Sequence, residues 1–212
     1  MTKVLTLTSL PLFPLGTVLF PDGLLPLRIF EVRYLDMIGK CHRAGAPFGV
    51  VALRQGSEVR RPGMVEEFAP VGTLARIDSL QTVQPGLLAI RCSGMQRFRV
   101  TDSRQLPHGL WVADVERIEQ DRAVAVPEDL RGAAAALARL IASLKQRPGG
   151  ADTLPLAEPL QLDDCGWVAN RWCELLPLPL STKQQLMELD NPLVRLELVN
   201  DFLARSRIAG SA

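Results

Sequence analysis

The chain has 212 residues, 47% of them hydrophobic and 22% charged, and 24 Lys and Arg against 23 Asp and Glu leave a formal net charge of +1. That length and composition exclude wholesale disorder and supply core enough for one large domain or two small ones without disulfides or metal. Near-neutral charge also excludes nucleic-acid binding driven by bulk charge, so any such function needs a local basic patch.

In chain order, the uncharged stretch Val4 to Pro21 is not a membrane span, because Pro11, Pro14 and Gly16 would break a spanning helix. Pro21-Asp22-Gly23 reads as a turn rather than a cleavage site, so a cytoplasmic protein with no membrane partner is expected. Leu10-Pro11-Leu12-Phe13-Pro14 reads as a short edge strand, since proline cannot donate to a central ladder. A second strand follows over Leu24–Ile29. The spacing of Tyr34, Leu35, Ile38 and Cys41-His42 then predicts a helix over Glu31–Ala44, ended by Gly45. Further strands are predicted at Phe48–Leu53, Val71–Leu80, Leu87–Cys92, Phe98–Val100 and Leu110–Ile118, with a turn near Gln84-Pro85-Gly86 and a break at Gly94. This series with one early helix points to a strongly curved sheet or small, partly open barrel.

Composition shifts near residue 121 toward Ala, Leu and helical spacing. Residues 1–121 therefore form a β-rich subdomain and residues 122–212 a helical one, giving an α+β fold. The helical part is expected to pack on the first, because its helices carry more apolar surface than a small bundle can hide. Pro127-Glu128-Asp129 opens its first helix, and Lys145 and Arg147 close it before Pro148-Gly149-Gly150. A loop with Pro155 and Pro159 leads to a helix over Asp163–Leu176, with Cys165, Val168, Ala169, Trp172, Cys173 and Leu176 on one face. Ser181-Thr182-Lys183-Gln184 matches a capping box. That helix ends near Asp190-Asn191, and Pro192 opens a last one running to about Arg207.

Residues able to do chemistry are scarce. Cys41, Cys92, Cys165 and Cys173 form no CxxC, and only His42 and His108 are available to complete a metal site, so buried free thiols are expected and no metal. Gly39-Lys40 lacks the remaining residues of a phosphate loop, and no Gly-x-Ser-x-Gly elbow occurs. Cys41 and His42 are neighbours on a helix and point about 100° apart, so they cannot act as nucleophile and base. Glu66-Glu67 reads as a solvated pair beside a turn. Arg97 and Arg99 flank Phe98 and form the best basic patch, with Arg91 and Arg104 near it. No cofactor is implied, and the chain is not expected to be an enzyme.

Several motifs in the same order carry a family resemblance. Leu10-Pro11-Leu12-Phe13-Pro14-Leu15-Gly16, Val18-Leu19-Phe20-Pro21-Asp22-Gly23 and Leu25-Pro26-Leu27-Arg28-Ile29-Phe30-Glu31-Val32-Arg33-Tyr34 open the chain. Val71-Gly72-Thr73-Leu74-Ala75-Arg76-Ile77 and Gly94-Met95-Gln96-Arg97-Phe98-Arg99-Val100 follow. The tail carries Lys183-Gln184-Gln185-Leu186-Met187-Glu188 and Arg195-Leu196. This order resembles the N-terminal substrate-binding domain of Lon proteases, in a stand-alone form lacking the ATPase and protease domains.

The resemblance implies a PUA-like β subdomain joined to helices and a non-enzymatic module that binds polypeptide segments or a protein partner. A nucleic-acid adaptor using Arg97 and Arg99 is the alternative. The expected contact residues are Phe20, Leu24 and Leu25 in an apolar loop beside the Leu10–Leu15 edge. Phe30, Glu31, Arg33 and Tyr34 join them at a helix start with unpaired amides, where Arg33 is expected to be exposed.

Overall fold

Short apolar runs separated by turn residues produce β1 (Thr6–Leu15), β2 (Leu24–Ile29), α1 (Val32–Ala44), β3 (Phe48–Gln55), β4 (Glu67–Gln84), β5 (Leu87–Gln105) and β6 (Trp111–Arg117). The computed structural model describes residues 5–58, 65–146 and 159–205. By its internal contacts the chain divides into two compact units, Met1–Gln120 and Asp121–Ala212.

The strands of the first unit form one sheet in the order β2-β5-β4-β3-β1-β6. An additional β5–β6 pairing closes β5, β4, β3, β1 and β6 into a ring, while β2 is held by β5 alone. β5 is long enough to serve both parts: Leu88–Ser93 pairs with β2 and Phe98–Gln105 with β6. Gly94 does not interrupt it, contrary to the expected break. A Cβ there would lie 2.2 Å from the Phe20 carbonyl oxygen, and Gly94 bonds Asp22 and Gly23 through its own carbonyl and amide. The glycine marks a close backbone approach rather than a strand end.

β1 is also not the expected edge strand. It pairs with β6 over Thr6–Leu12 and runs parallel to β3 over Leu12–Leu15. Pro11 thus falls where only β6 is paired and Pro14 where only β3 is. Each proline meets one ladder rather than two, which is how a strand with neighbours on both sides tolerates them. An early bulge lengthens the strand further: Ser9 takes φ 54°, and its amide donates to the Asp114 carboxylate at 2.8 Å.

α1 packs Tyr34, Met37, Ile38 and Cys41 against Phe13 and Phe48 in one core cluster. His42, expected on that face, is exposed. Gly45 ends the helix in the left-handed region at φ 59°, where it carries no Cβ penalty. A second cluster joins Leu10, Leu12, Val51, Leu74, Phe98 and Val115.

In the second unit a 3₁₀ turn at Glu128–Leu130 leads to α2 (Arg131–Lys145), followed by α3 (Cys165–Leu175), α4 (Leu180–Glu188) and α5 (Pro192–Arg205). Asp164 caps α3, its carboxylate accepting from the Trp167 and Val124 amides at 2.8 and 3.0 Å. All six apolar residues expected on one face of α3 are buried, but so are Trp167, Asn170 and Arg171, and the helix is enclosed on every side. The capping box at Ser181 does not form. α4 starts at Leu180 behind Pro179, with no side-chain cap, because the proline already fixes φ at −55°. Asn191 caps α5 instead, accepting from the Leu193 and Val194 amides, with Pro192 in the first turn. The expectations at Arg147–Gly150, Pro155 and Arg207 lie outside the described residues.

Candidate functional site

A cleft of about 200 Å³ opens where β1, β2 and the start of α1 meet. Phe13 and Leu15 come from β1, Pro26 to Ile29 from β2, Phe30, Glu31 and Tyr34 from the turn and first helical residues, and Glu58 from beyond β3. Ile29 ends β2 buried, and the chain then turns at Glu31, whose extended φ and ψ of −75° and 133° precede the helix. The turn leaves Phe30 55% exposed and Val32 80% exposed on either side of Glu31. Tyr34 points inward and stacks on Phe13 with ring centroids 4.0 Å apart and 21° between planes. The amides of Tyr34 and Leu35 both donate to the Glu31 carbonyl, so the expected surplus of unpaired amides is smaller than the sequence implied.

Arg33 is not the solvent-facing residue expected. It is 6% exposed and lies over the Tyr34 ring, its guanidinium carbon 4.5 Å from the centroid. Its nitrogens donate to the Gly109 carbonyl at 2.7 Å, to Glu31 at 3.1 Å and to Glu66 at 3.3 Å. Burial alone would lower its pKa, but the carboxylates of Glu31 and Glu66 hold it above the ordinary value. The Tyr34 phenol is pushed strongly upward, by burial first, and stays protonated.

Glu66, expected to be solvated, also accepts from the Trp111 indole at 2.7 Å, and its side chain is 7% exposed. Alternation carried the missed signal: Glu66 lies two residues before Phe68 and so shares its face, and Phe68 packs edge-on against Trp111 with centroids 5.3 Å apart.

The remaining expected contact residues disperse. Phe20 is fully buried, and its carbonyl accepts from the Gly23 amide in a tight turn. Leu24 and Leu25 are half-buried within β2, not in a loop. Arg97 is 3% exposed whereas Arg99 is exposed, so the two do not present a joint basic face. The ladder is regular through Val71–Arg99, Gly72–Phe98 and Thr73–Arg97, so the two side chains share a face as alternation implies, and it is the burial of Arg97 that removes the patch. Of the contact residues read from sequence, the cleft gathers Phe30, Glu31 and Tyr34, with Arg33 as the buried prop behind them. Arg28 and Glu58, which the sequence did not single out as contacts, line it as well.

The four cysteines are buried and free. Burial pushes the Cys92 and Cys173 thiols up to about 12, leaving neither a nucleophile at neutral pH. Among the described residues no group of His, Cys, Asp or Glu is placed to hold a metal ion, and no helix is long and apolar enough to cross a membrane.

Fold and site together define a mixed α+β protein: a six-stranded sheet with one helix beside it and a further helical unit, bearing a small, largely apolar cleft. Residues 9–205 match the family of the ATP-dependent protease La (LON) substrate-binding domain, and the chain belongs to that family. It is 29% identical over 205 residues to a Lon protease of Anaeromyxobacter dehalogenans and 28% identical over 210 residues to a Lon protease 2 of Herpetosiphon aurantiacus. Those alignments cover 93% and 94% of this chain but 23% and 24% of the relatives, so the chain spans about a quarter of their length. The crystal structure of a Lon N-terminal domain protein from Xanthomonas campestris superimposes with a TM-score of 0.71 at 33% identity, covering 92% of this chain and 99% of that one. The N-terminal domain of a Mycobacterium avium complex Lon protease shares the fold, with a TM-score of 0.58 at 17% identity. The region matched is the substrate-binding, non-catalytic part of these proteins.

Proposed function

We propose that this chain is a recognition module that binds exposed polypeptide segments through the cleft at the start of α1, without itself performing chemistry. The observation that carries this reading is the pairing of a chain-long match to a substrate-binding domain with a cleft lined by Phe30, one of the most exposed large apolar residues described, two residues before the still more exposed Val32. Folded proteins bury such side chains, while unfolded segments offer apolar side chains to meet them. The free thiols fit a reducing cytoplasm. The test is a fluorescence-anisotropy titration of the purified chain with a labelled protein in its native form and after reduction and carboxymethylation. Saturable binding of the unfolded form alone is expected, and equal binding of both forms, or of neither, would refute the reading.

A further inference from the structure

β2 is the one strand of the described sheet with a single neighbour. Its register with β5 runs unbroken from Leu24↔Ser93 to Ile29↔Leu88, and one step earlier the Gly23 carbonyl accepts from the Gly94 amide at 2.8 Å. Backbone groups along a strand alternate sides with a period of two. Leu25, Leu27 and Ile29 therefore bond to β5, and Leu24, Pro26 and Arg28 turn their backbone groups to the open side. Side chains alternate likewise, and Leu25, Leu27 and Ile29 pack on the α1 core. Pro26, with no amide hydrogen, sits on the open side, where an edge strand tolerates it. The edge thus offers the amides of Leu24 and Arg28 and the carbonyls of Leu24, Pro26 and Arg28.

The cleft opens along this edge. Pro26 to Ile29 form one wall, and Phe13 and Leu15 come from the part of β1 that β6 no longer covers. Glu31 and Glu58 set two carboxylates in the lining beside the guanidinium of Arg28; one Glu31 oxygen accepts from Arg33 and one Glu58 oxygen from the Gly16 amide, and the other oxygen of each has no hydrogen bond to those groups. We propose that the open edge of β2 takes up an extended polypeptide segment as an added strand, seating one bulky apolar side chain in the cleft and a neighbouring Lys or Arg against Glu31 and Glu58.

This rests on the polypeptide-recognition reading and gives it a binding mode and a chemistry. Drug-sized ligands occupy pockets of about 300–1,000 Å³, so a cleft of about 200 Å³ suits a side chain better than a cofactor. Main-chain bonds to the edge supply affinity for any sequence, and the cleft and its carboxylates supply selectivity. A second copy pairing symmetrically about Pro26 would set two prolines face to face with no donor between them, which disfavours self-association there.

The probe is a short fluorescein-labelled peptide with a central Phe-Lys step in a Thr-rich background, titrated against the full chain. N-methylation of one alternate set of its amides is expected to weaken binding about tenfold, and of the other set to leave it nearly unchanged. Replacing the peptide Phe by Ser should weaken binding by a similar factor, and Glu58→Lys in the protein should abolish the preference for Lys over Glu beside it. Arg28→Pro, which removes an outward amide, should weaken the peptide while leaving the thermal midpoint unchanged. Equal effects of the two N-methyl sets on the unaltered protein would overturn strand addition while leaving the capture of unfolded protein intact. Binding of neither the peptide nor unfolded protein would remove both readings. A dimer dissolved by Arg28→Pro would assign the edge to a second copy and overturn the proposal.

Discussion

Arg33 and Arg195 are both buried arginines held by carboxylates and backbone carbonyls, yet they do different work. Arg195 is enclosed: it donates to the Leu186 carbonyl at 2.9 Å, to Asp121 at 2.6 Å, to Asn170 at 3.0 Å and to the Leu189 carbonyl. It thereby satisfies carbonyls at the end of α4 and ties α5 to α4, α3 and the start of its unit. Arg33 is just as saturated, but it lies behind a surface. Its bonds to Glu31, Glu66 and Gly109 fix the turn on which Phe30 and Val32 stand exposed. Where a buried ion pair is surrounded only by core it organises the fold. Where it backs a cleft it also sets the geometry of a surface.

This comparison can be broken by mutation, beginning with the largest effect. Arg195→Met should cost about 3–5 kcal/mol in urea unfolding, because Asp121 and the helix-end carbonyls lose their donor. Leu196→Ala, next to it and fully buried, should cost about 2–5 kcal/mol by the same measurement. Arg33→Glu should cost about 3 kcal/mol and also lower affinity for unfolded protein, since it sets a new carboxylate against Glu31 and Glu66. A near-neutral Arg33→Glu, as its expected exposure implied, would contradict the buried geometry.

The thiols give a smaller, pH-dependent effect common to both units. Burial holds Cys92 and Cys173 protonated up to about 12, whereas an unfolded thiol ionises near about 8.5. Their contribution is complete below the unfolded value and is lost as pH rises between the two, at up to about 1.4 kcal/mol per pH unit for each thiol. Unfolding curves from pH 7 to about 10.5 should show this loss, and Cys92→Ala and Cys173→Ala should each reduce its slope. Phe30→Ala, at the exposed end of the scale, should change stability by no more than about 0.5 kcal/mol.

Legibility in the sequence followed the range of the interactions. Local signals were readable: the helix after Phe30, the Gly45 stop, the Pro85-Gly86 hairpin and the apolar face of α3 all depend on neighbours a few residues apart. Apart from the Ser181 capping box, displaced by Pro179 two residues away, what failed depended on distant partners. The prolines of β1 looked like edge markers because nothing local says that β6 covers one half of the strand and β3 the other. Arg33 looked solvated because Gly109 and Glu66 are far along the chain, and Gly94 looked like a break because its reason is the Phe20 carbonyl. The site was therefore half visible: the exposed turn could be read from the sequence, but its buried support and the open edge of β2 could not.

The most direct test of the cleft as the recognition surface compares two exposed apolar residues, one in each unit, for capture of a reduced and carboxymethylated protein. Phe30→Ala removes the side chain at the cleft mouth, and Val194→Ala removes one of similar chemistry, 37% exposed on α5. Anisotropy titration should show affinity falling about tenfold for Phe30→Ala and unchanged for Val194→Ala, with both proteins as stable as the parent. Unchanged capture by Phe30→Ala, or an equal loss in both variants, would contradict the assignment of recognition to the cleft.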